Sequence, residues 1–287
     1  MVRSLHQVPC TCTLHLCTAP YNPCVSVHRF FAPALDPGDE TVVLPRDEAE
    51  HLTRVLRLTS GDTVAVFDGR GHEFLARVTG ESRRDVRVQL LSRVEPAAEP
   101  AVPLTLVQAV LKGEKMDEVV RDAVMLGVAA IHPIVTTRTE STVAAIARGA
   151  RRDRWRRVAL ASVKQSRRAT LPEIRIPLTF DDFLGEPAAA IRLMLVEPPS
   201  PHESEERLRR PRPAWAPDAT SIGQLRGEPI PHDAAILVGP EGGWTDDELR
   251  TAAEAGVRLV TLGHRTLRAD AVPIAAISVL QFLWNDL

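Results

Sequence analysis

After Cys24 the chain has no cysteine: its four (Cys10, Cys12, Cys17 and Cys24) crowd into the first 24 of 287 residues. A body without cysteine has no disulfide framework and no thiolate metal site, which suits a reducing cytoplasm. Lysine is scarce as well. Only Lys112, Lys115 and Lys164 occur among 35 basic residues, a skew toward arginine that reflects genome composition more than chemistry. No apolar run approaches the roughly 18 residues of a membrane-spanning helix, so no membrane partner is expected. Neither GxGxxG nor GxxxxGK[ST] occurs, which removes the usual dinucleotide and phosphate-loop sites.

The cysteine-bearing segment also carries Pro9, Pro20 and Pro23 and lacks a sustained apolar core, so it is a poor signal peptide. Cys10, Cys12, His15, Cys17 and Cys24 match no common zinc spacing, and no metal site is expected. Residues 1–25 read as a disordered extension. An upstream start codon is another source for them, with the native chain beginning near Val25.

What is present is 44% hydrophobic and 25% charged, the balance of an ordinary globular protein long enough for two domains. The net charge of −2 hides a segregation. Residues 101–180 hold 14 basic and 7 acidic side chains, whereas residues 181–287 hold 10 and 17. A cationic block in a near-neutral protein suits a polyanion-binding surface, and equally a solvated helix face.

Residues 26–95 have the signals of a small β-barrel. Thr41–Leu44, Thr63–Phe67, Glu73–Val78 and Val86–Leu91 read as strands. Asp47–Arg57 reads as a short helix burying Leu52, Val55 and Leu56, and Asp68-Gly-Arg-Gly71 as a hairpin loop. Prolines make 96–103 a linker. From 104 to 287 strands and helices alternate, the pattern of a parallel sheet covered on its faces. Strands are expected at 104–110, 129–135, 191–196, 236–238 and 257–262. Helices are expected at 114–126, 151–168, 245–256 (opened by a Thr245/Glu248 capping box) and 271–284, the last burying Ile274, Ile277 and Phe282. Residues 198–232, with eight prolines, read as a surface excursion.

Two of these strands end in glycine-edged loops, Gly239-Pro-Glu-Gly-Gly243 and Leu262-Gly-His-Arg-Thr-Leu-Arg268. Glycines let backbone approach a ligand, and loops at the ends of successive strands would lie side by side on the ligand-binding edge of the sheet. A tight strand-to-helix turn with no ligand is the plainer reading of one such loop; the second loop weighs against it.

The pair resembles the SPOUT superfamily of RNA methyltransferases. Within it the match is to RsmE-type enzymes, which methylate N3 of a uridine in 16S ribosomal RNA and carry GPEGG followed by LGpRILRTETA. His28-Arg-Phe-Phe31, His51–Arg57, Lys112–Asp117 and Gln165–Arg168 also have family counterparts, so the likeness spans about 240 residues. It implies a PUA-like RNA-binding barrel, then an α/β domain with a trefoil knot, a homodimer, and 16S rRNA in the small subunit as partner. It also implies S-adenosylmethionine (SAM) as cofactor. The expected SAM contacts are Val196, Glu197, Gly239, Pro240, Glu241, Gly242, Gly243, Leu262, Gly263, Thr266 and Leu267.

Methylating a uracil imide nitrogen requires loss of its proton, and a cation near the carbonyl oxygens would stabilise the anion. Arg268 is the expected donor, unless it pairs with a carboxylate to brace the knot. Glu241 is a candidate to accept a proton or orient substrate, or to cap the next helix. Arg29, Lys112, Arg154, Arg157, Lys164, Gln165 and Arg168 are the expected RNA contacts. Trp155 is a stacking candidate or, among helix arginines, a packing anchor. The chain departs from the family at Ala269-Asp270-Ala271 (for Thr-Glu-Thr), His264 (for Pro), and Lys164 and Met125 (both for Glu). Backbone contacts to the cofactor should survive these changes. Two competing readings are a ribose 2′-O-methyltransferase of the same superfamily and an inactive RNA-binding relative.

Overall fold

The computed structural model describes residues 27–81, 85–148, 150–198 and 219–287. The cysteines and most of the 198–232 excursion lie outside these residues.

The first sheet contains β1 (Arg29–Phe31), β2 (Thr41–Val43), β3 (Thr63–Phe67), β4 (Glu73–Glu81) and β5 (Val86–Val94), in the order β1-β3-β4-β5-β2. All its pairings are antiparallel except β1 with β3. Alternate residues (Phe30, Val42, Val64, Val66, Val78 and Val88) turn inward to a common core. The hairpin between β3 and β4 closes around the buried Asp68 carboxylate. It accepts from the Arg70 amide at 2.7 Å, the His72 amide at 3.1 Å and the His72 ring at 2.7 Å. Those bonds stabilise the ionised form, so the Asp68 carboxyl lies below its ordinary range although burial opposes this.

The expected helix at 47–57 forms differently. α1 (Arg46–Glu50) runs directly into a π-turn, His51–Val55, closed by Leu56 N donating to His51 O at 3.0 Å. The extra residue in that turn breaks the 3.6-residue period. Leu52 stays buried, Leu56 is only half-buried, and Val55 is 65% exposed.

The second sheet is parallel throughout. Its long strands are β6 (Leu104–Ala109), β7 (Ala130–Val135), β10 (Ile191–Val196), β12 (Ala234–Val238) and β13 (Arg258–Thr261). Two-residue strands, too short to show periodicity, extend it: β8 (Glu173–Ile174), β9 (Leu178–Thr179) and β11 (Thr220–Ser221). The order is β11-β13-β10-β12-β6-β7-β8, with β9 also on β7. Neighbouring residues in each strand point to opposite faces. Leu106, Leu193 and Ile236 meet the helices on one side, α2 (Lys115–Met125), α4 (Arg151–Ser166) and α7 (Val272–Leu283). Val107, Met194 and Leu237 meet α5 (Phe180–Leu184) and α6 (Asp246–Glu254) on the other. A short α3 (Val143–Arg148) precedes α4.

Gly127 ends α2 with φ +90°, and Pro100 of the linker lies 2.6 Å from where a Cβ would stand, so only glycine fits there. Thr245 and Glu248 form the expected capping box at α6.

The strand order corrects one expectation. β12 and β13 are not neighbours; both pair with β10, which lies between them. The chain leaving β12 passes β10 to lay down β13. It then returns through α7 to α2, where the Gln281 amide donates to the Leu126 carbonyl. Such a crossing and return is the path that the SPOUT resemblance implies for its knot. α7 supplies a second correction. Ile277 is fully buried, but Ile274 and Phe282 are 40% and 60% exposed, because the helix packs through Ala276, Ile277 and Leu280 instead.

Candidate active site

Because β10 lies between β12 and β13, the end of β10 at Val196-Glu197-Pro198 joins the two glycine-edged loops at the C-terminal edge of the sheet, as the expected third contact. They enclose a cavity of about 260 Å³. An α/β sheet binds ligands at this edge. Leu195, Val238 and Leu262 give apolar wall, and Gly239–Gly243 gives backbone.

Local chemistry shapes the glycine loop. The Trp244 indole lies 3.0 Å from where a Cβ on Gly239 would stand, and its Nε1 donates to Leu195 O at 2.9 Å. Trp244 thereby ties the end of β10 to the loop after β12. Gln108, fully buried on β6, reaches the Val238 and Gly239 carbonyls at 3.5 Å. Gly243 has φ +67°, a conformation open to glycine at little cost. From the loop after β7, Arg138 lays its stem on Gly242 and donates from Nη1 to the carbonyls of Gly242 (2.5 Å) and Trp244 (3.2 Å).

Of the expected SAM contacts, Val196, Glu197, Gly239, Pro240, Glu241, Gly242, Gly243, Leu262, Thr266 and Leu267 all line the cavity. Gly263 does not. It has φ +79° and open space beside it, so it serves the turn rather than a close approach. The glycine reading needs refinement too, since side chains of Trp244 and Arg138 occupy the space beside Gly239 and Gly242. Sequence reasoning missed Arg138 and Trp244 as site residues. Arg138 stands just past the end of a parallel strand, the same signal that singled out the other loops.

Arg268 lies outside the cavity wall, next to its lining residue Leu267. Its Nε and Nη2 each reach the Asp270 carboxylate at 3.1 Å, and its side chain is 74% exposed. That pairing raises the guanidinium pKa and lowers that of Asp270. Glu241 accepts from Lys115 Nζ at 2.9 Å and from the Lys112 amide at 3.2 Å. Burial works to raise its pKa, but the Lys115 hydrogen bond and the two backbone amides prevail and hold it low. A carboxylate held ionised is a weak base. Nor does Glu241 cap α6; it is fastened to the start of α2.

Three expected RNA contacts are engaged within the protein, Arg29 and Lys164 half-buried between the two sheets and Arg168 buried against α2. Arg29 donates to both Glu73 oxygens at 2.8 Å and to the carbonyls of Val163, Lys164 and Arg168 at the end of α4. Lys164 pairs with buried Glu48 of α1. Arg168, 3% exposed, bonds Glu99 and the Val124 and Val128 carbonyls. Each of these cations has a carboxylate partner within the protein. Trp155 is 2% exposed and packs in the core rather than offering a stacking face. Lys112, Arg154, Arg157 and Gln165 are exposed, with Lys112 paired to Glu140 and Arg154 to Glu114 and Asp117. Among the described residues no group of three or more His, Cys, Asp or Glu is placed to hold a metal. None of their helices is long and apolar enough to cross a membrane.

Comparison with known proteins agrees with this geometry. Residues 98–281 match the family described as RNA methyltransferase domain, and residues 44–91 the one described as RNA methyltransferase PUA domain. The chain is 32% identical over 246 residues to the ribosomal RNA small subunit methyltransferase E of Synechocystis sp., covering 85% of this chain and 74% of that one. Among solved structures it is similar to a ribosomal RNA small subunit methyltransferase E from Neisseria gonorrhoeae bound to S-adenosyl methionine. Identity there is 30%, coverage is 90% of this chain and 98% of that one, and the TM-score is 0.75. A Legionella pneumophila methyltransferase in complex with SAM gives 28% identity, the same coverage and a TM-score of 0.76.

Proposed function

From this chain's membership of the RNA methyltransferase family, with that family's PUA domain ahead of its methyltransferase domain, we propose that it transfers a methyl group from SAM to N3 of a uridine in the 16S RNA of the small ribosomal subunit. The observation that carries this reading is the cavity between the three strand-end loops. It offers apolar wall for an adenine, backbone for its polar edge, and both signs of charge at its rim. It therefore fits SAM by shape and by donor set.

When bound, SAM supplies an electrophilic methyl on a sulfonium; the chain's own residues do the rest. Trp244 and Arg138 hold the glycine loop in one shape before any ligand arrives, which lowers the cost of binding. Arg268 uses two nitrogens on Asp270, and its Nη1 has no partner among the described residues. That group donates to a uracil carbonyl oxygen as N3 loses its proton to solvent water and the charge left behind spreads onto the carbonyl oxygens. Asp270 orients the guanidinium in spite of being one methylene shorter than the family's glutamate. Glu241 fastens the cofactor loop to α2 and does not take the proton.

Residues 26–95 serve as the RNA-holding barrel, 96–103 as linker and 104–287 as the catalytic domain. The exposed arginines of α4, Arg154 and Arg157 among them, meet phosphates and position the RNA without reading its sequence. The enzyme works in the cytoplasm as a homodimer, with the exposed Ile274 and Phe282 of α7 in the shared interface.

The test is to incubate the protein with labelled SAM and 30S subunits from a strain lacking this gene, then digest to nucleosides for mass spectrometry. Label on the uracil base at N3 is the expected result. Label on ribose would replace the reading with 2′-O-methylation; RNA binding without label would make the chain an inactive relative.

A further inference from the structure

Arg138 and Glu197 approach the cavity from different strands and meet beside Gly243. Arg138 Nη1 lies 4.0 Å, and Glu197 Oε1 3.7 Å, from where a Cβ on that glycine would stand. The missing side chain leaves a gap between an acid and a base. Both residues line the cavity, and among the described residues neither has an ion-pair partner. Arg138 is nonetheless fixed in place, its stem on Gly242 and its Nη1 on two carbonyls. The remaining guanidinium donors stay available, since arginine carries five N–H groups. Glu241, Asp246 and Arg265 also line the cavity, but Arg138 and Glu197 are the two side chains within 4 Å of the missing Gly243 Cβ, so this acid and base share one gap.

A gap flanked by one cation and one anion fits a zwitterion. A phosphate would gain from Arg138 but be repelled by Glu197. Resting on the SAM reading above, we propose that Arg138 and Glu197 form a clamp for the α-amino-acid end of the cofactor. Arg138 receives its carboxylate and Glu197 its ammonium group. The adenosine then extends toward Leu195, Val238 and Leu262, and the sulfonium is held between, so the clamp sets the direction in which the methyl points.

Calorimetric titration of the full chain with two ligands tests this. S-adenosylhomocysteine carries both amino-acid charges, and 5′-methylthioadenosine carries neither. Glu197→Gln should weaken S-adenosylhomocysteine by about tenfold to a hundredfold, the worth of one charge-assisted hydrogen bond, and leave methylthioadenosine within about twofold. Arg138→Met, which also loosens the glycine loop, should weaken both ligands but S-adenosylhomocysteine by about tenfold more. Arg138→Lys should recover part of the loss. Equal weakening of both ligands by Arg138→Met would make it a loop brace and overturn the clamp, as would no weakening of either. Thermal melting of each variant identifies any that is unfolded; Glu197→Gln, on an exposed side chain, then carries the test alone. A wild-type chain that binds neither ligand would sink the cofactor reading itself, whereas binding without discrimination sinks only the clamp.

Discussion

Arg268 and Asp270 are separated by one residue, and the short loop lets the carboxylate hold the guanidinium edge-on at 3.1 Å. The sequence posed two roles for this arginine, a donor to the uracil anion or a brace for the knot. The carboxylate it meets is its own loop neighbour rather than one on a distant strand, so the guanidinium stays exposed while Asp270 is half-buried beside it. Arg268→Ala should therefore lower single-turnover methylation by about a hundredfold or more, as for loss of an anion-stabilising donor. Binding of S-adenosylhomocysteine should change by less than about twofold. Asp270→Asn should show a smaller loss in the same direction. Equal loss of turnover and binding in Arg268→Ala would make the residue structural. The nearby Ala269 and Ala271 remove hydroxyls but keep the backbone path, with the Ala271 amide donating to Arg268 O at 2.9 Å.

At the scale of elements, the end of α4 is the informative joint. It finishes at Arg167 in the left-handed conformation, φ +62°, where glycine is usual. Its last carbonyls are capped from outside by Arg29 of β1, which also lies over the Phe67 ring at 4.8 Å. One side chain thus closes a helix in one domain and an ion pair in the other. Arg29→Met should leave Glu73 buried and uncompensated and cost about 3–5 kcal/mol in urea unfolding. A loss below about 1 kcal/mol would mean that Glu73 finds another partner and the joint is dispensable. If the joint is lost in Arg29→Met, the barrel should turn relative to the sheet, and methylation should fall with SAM binding intact.

For the whole molecule, the outer stripe of α7 bears on assembly. Ile274 and Phe282 of α7 and Leu287 beyond it are large apolar side chains left exposed. Exposed apolar side chains of this kind are what an interaction site uses. Light scattering should give about twice the 31.5 kDa of one chain. Ile274→Glu with Phe282→Glu should yield a folded monomer of low activity. A wild-type monomer would remove the homodimer from the proposal, and a double variant that stays dimeric would move the interface elsewhere.

Sequence by itself determined the elements and the chemistry of the edge. Short continuous apolar runs marked the long strands, the Thr245/Glu248 box marked α6, and glycines after apolar runs marked the loops. All of these are local signals, carried within a few residues. Tertiary structure alone decided which charges were already spent. Arg29, Lys164 and Arg168 read as surface cations because their partners, Glu73, Glu48 and Glu99, lie 44, 116 and 69 residues away. It also decided that β10 separates β12 from β13, since hydrophobic periodicity records that a strand is buried but not beside which strand. That order brings Glu197 to Gly243, and the loop after β7 brings Arg138 from more than 100 residues away. Burial, capping and turns are short-range and visible in sequence. Charge pairing across domains and the assembly of a cavity depend on chain crossings, and only folding brings those residues together.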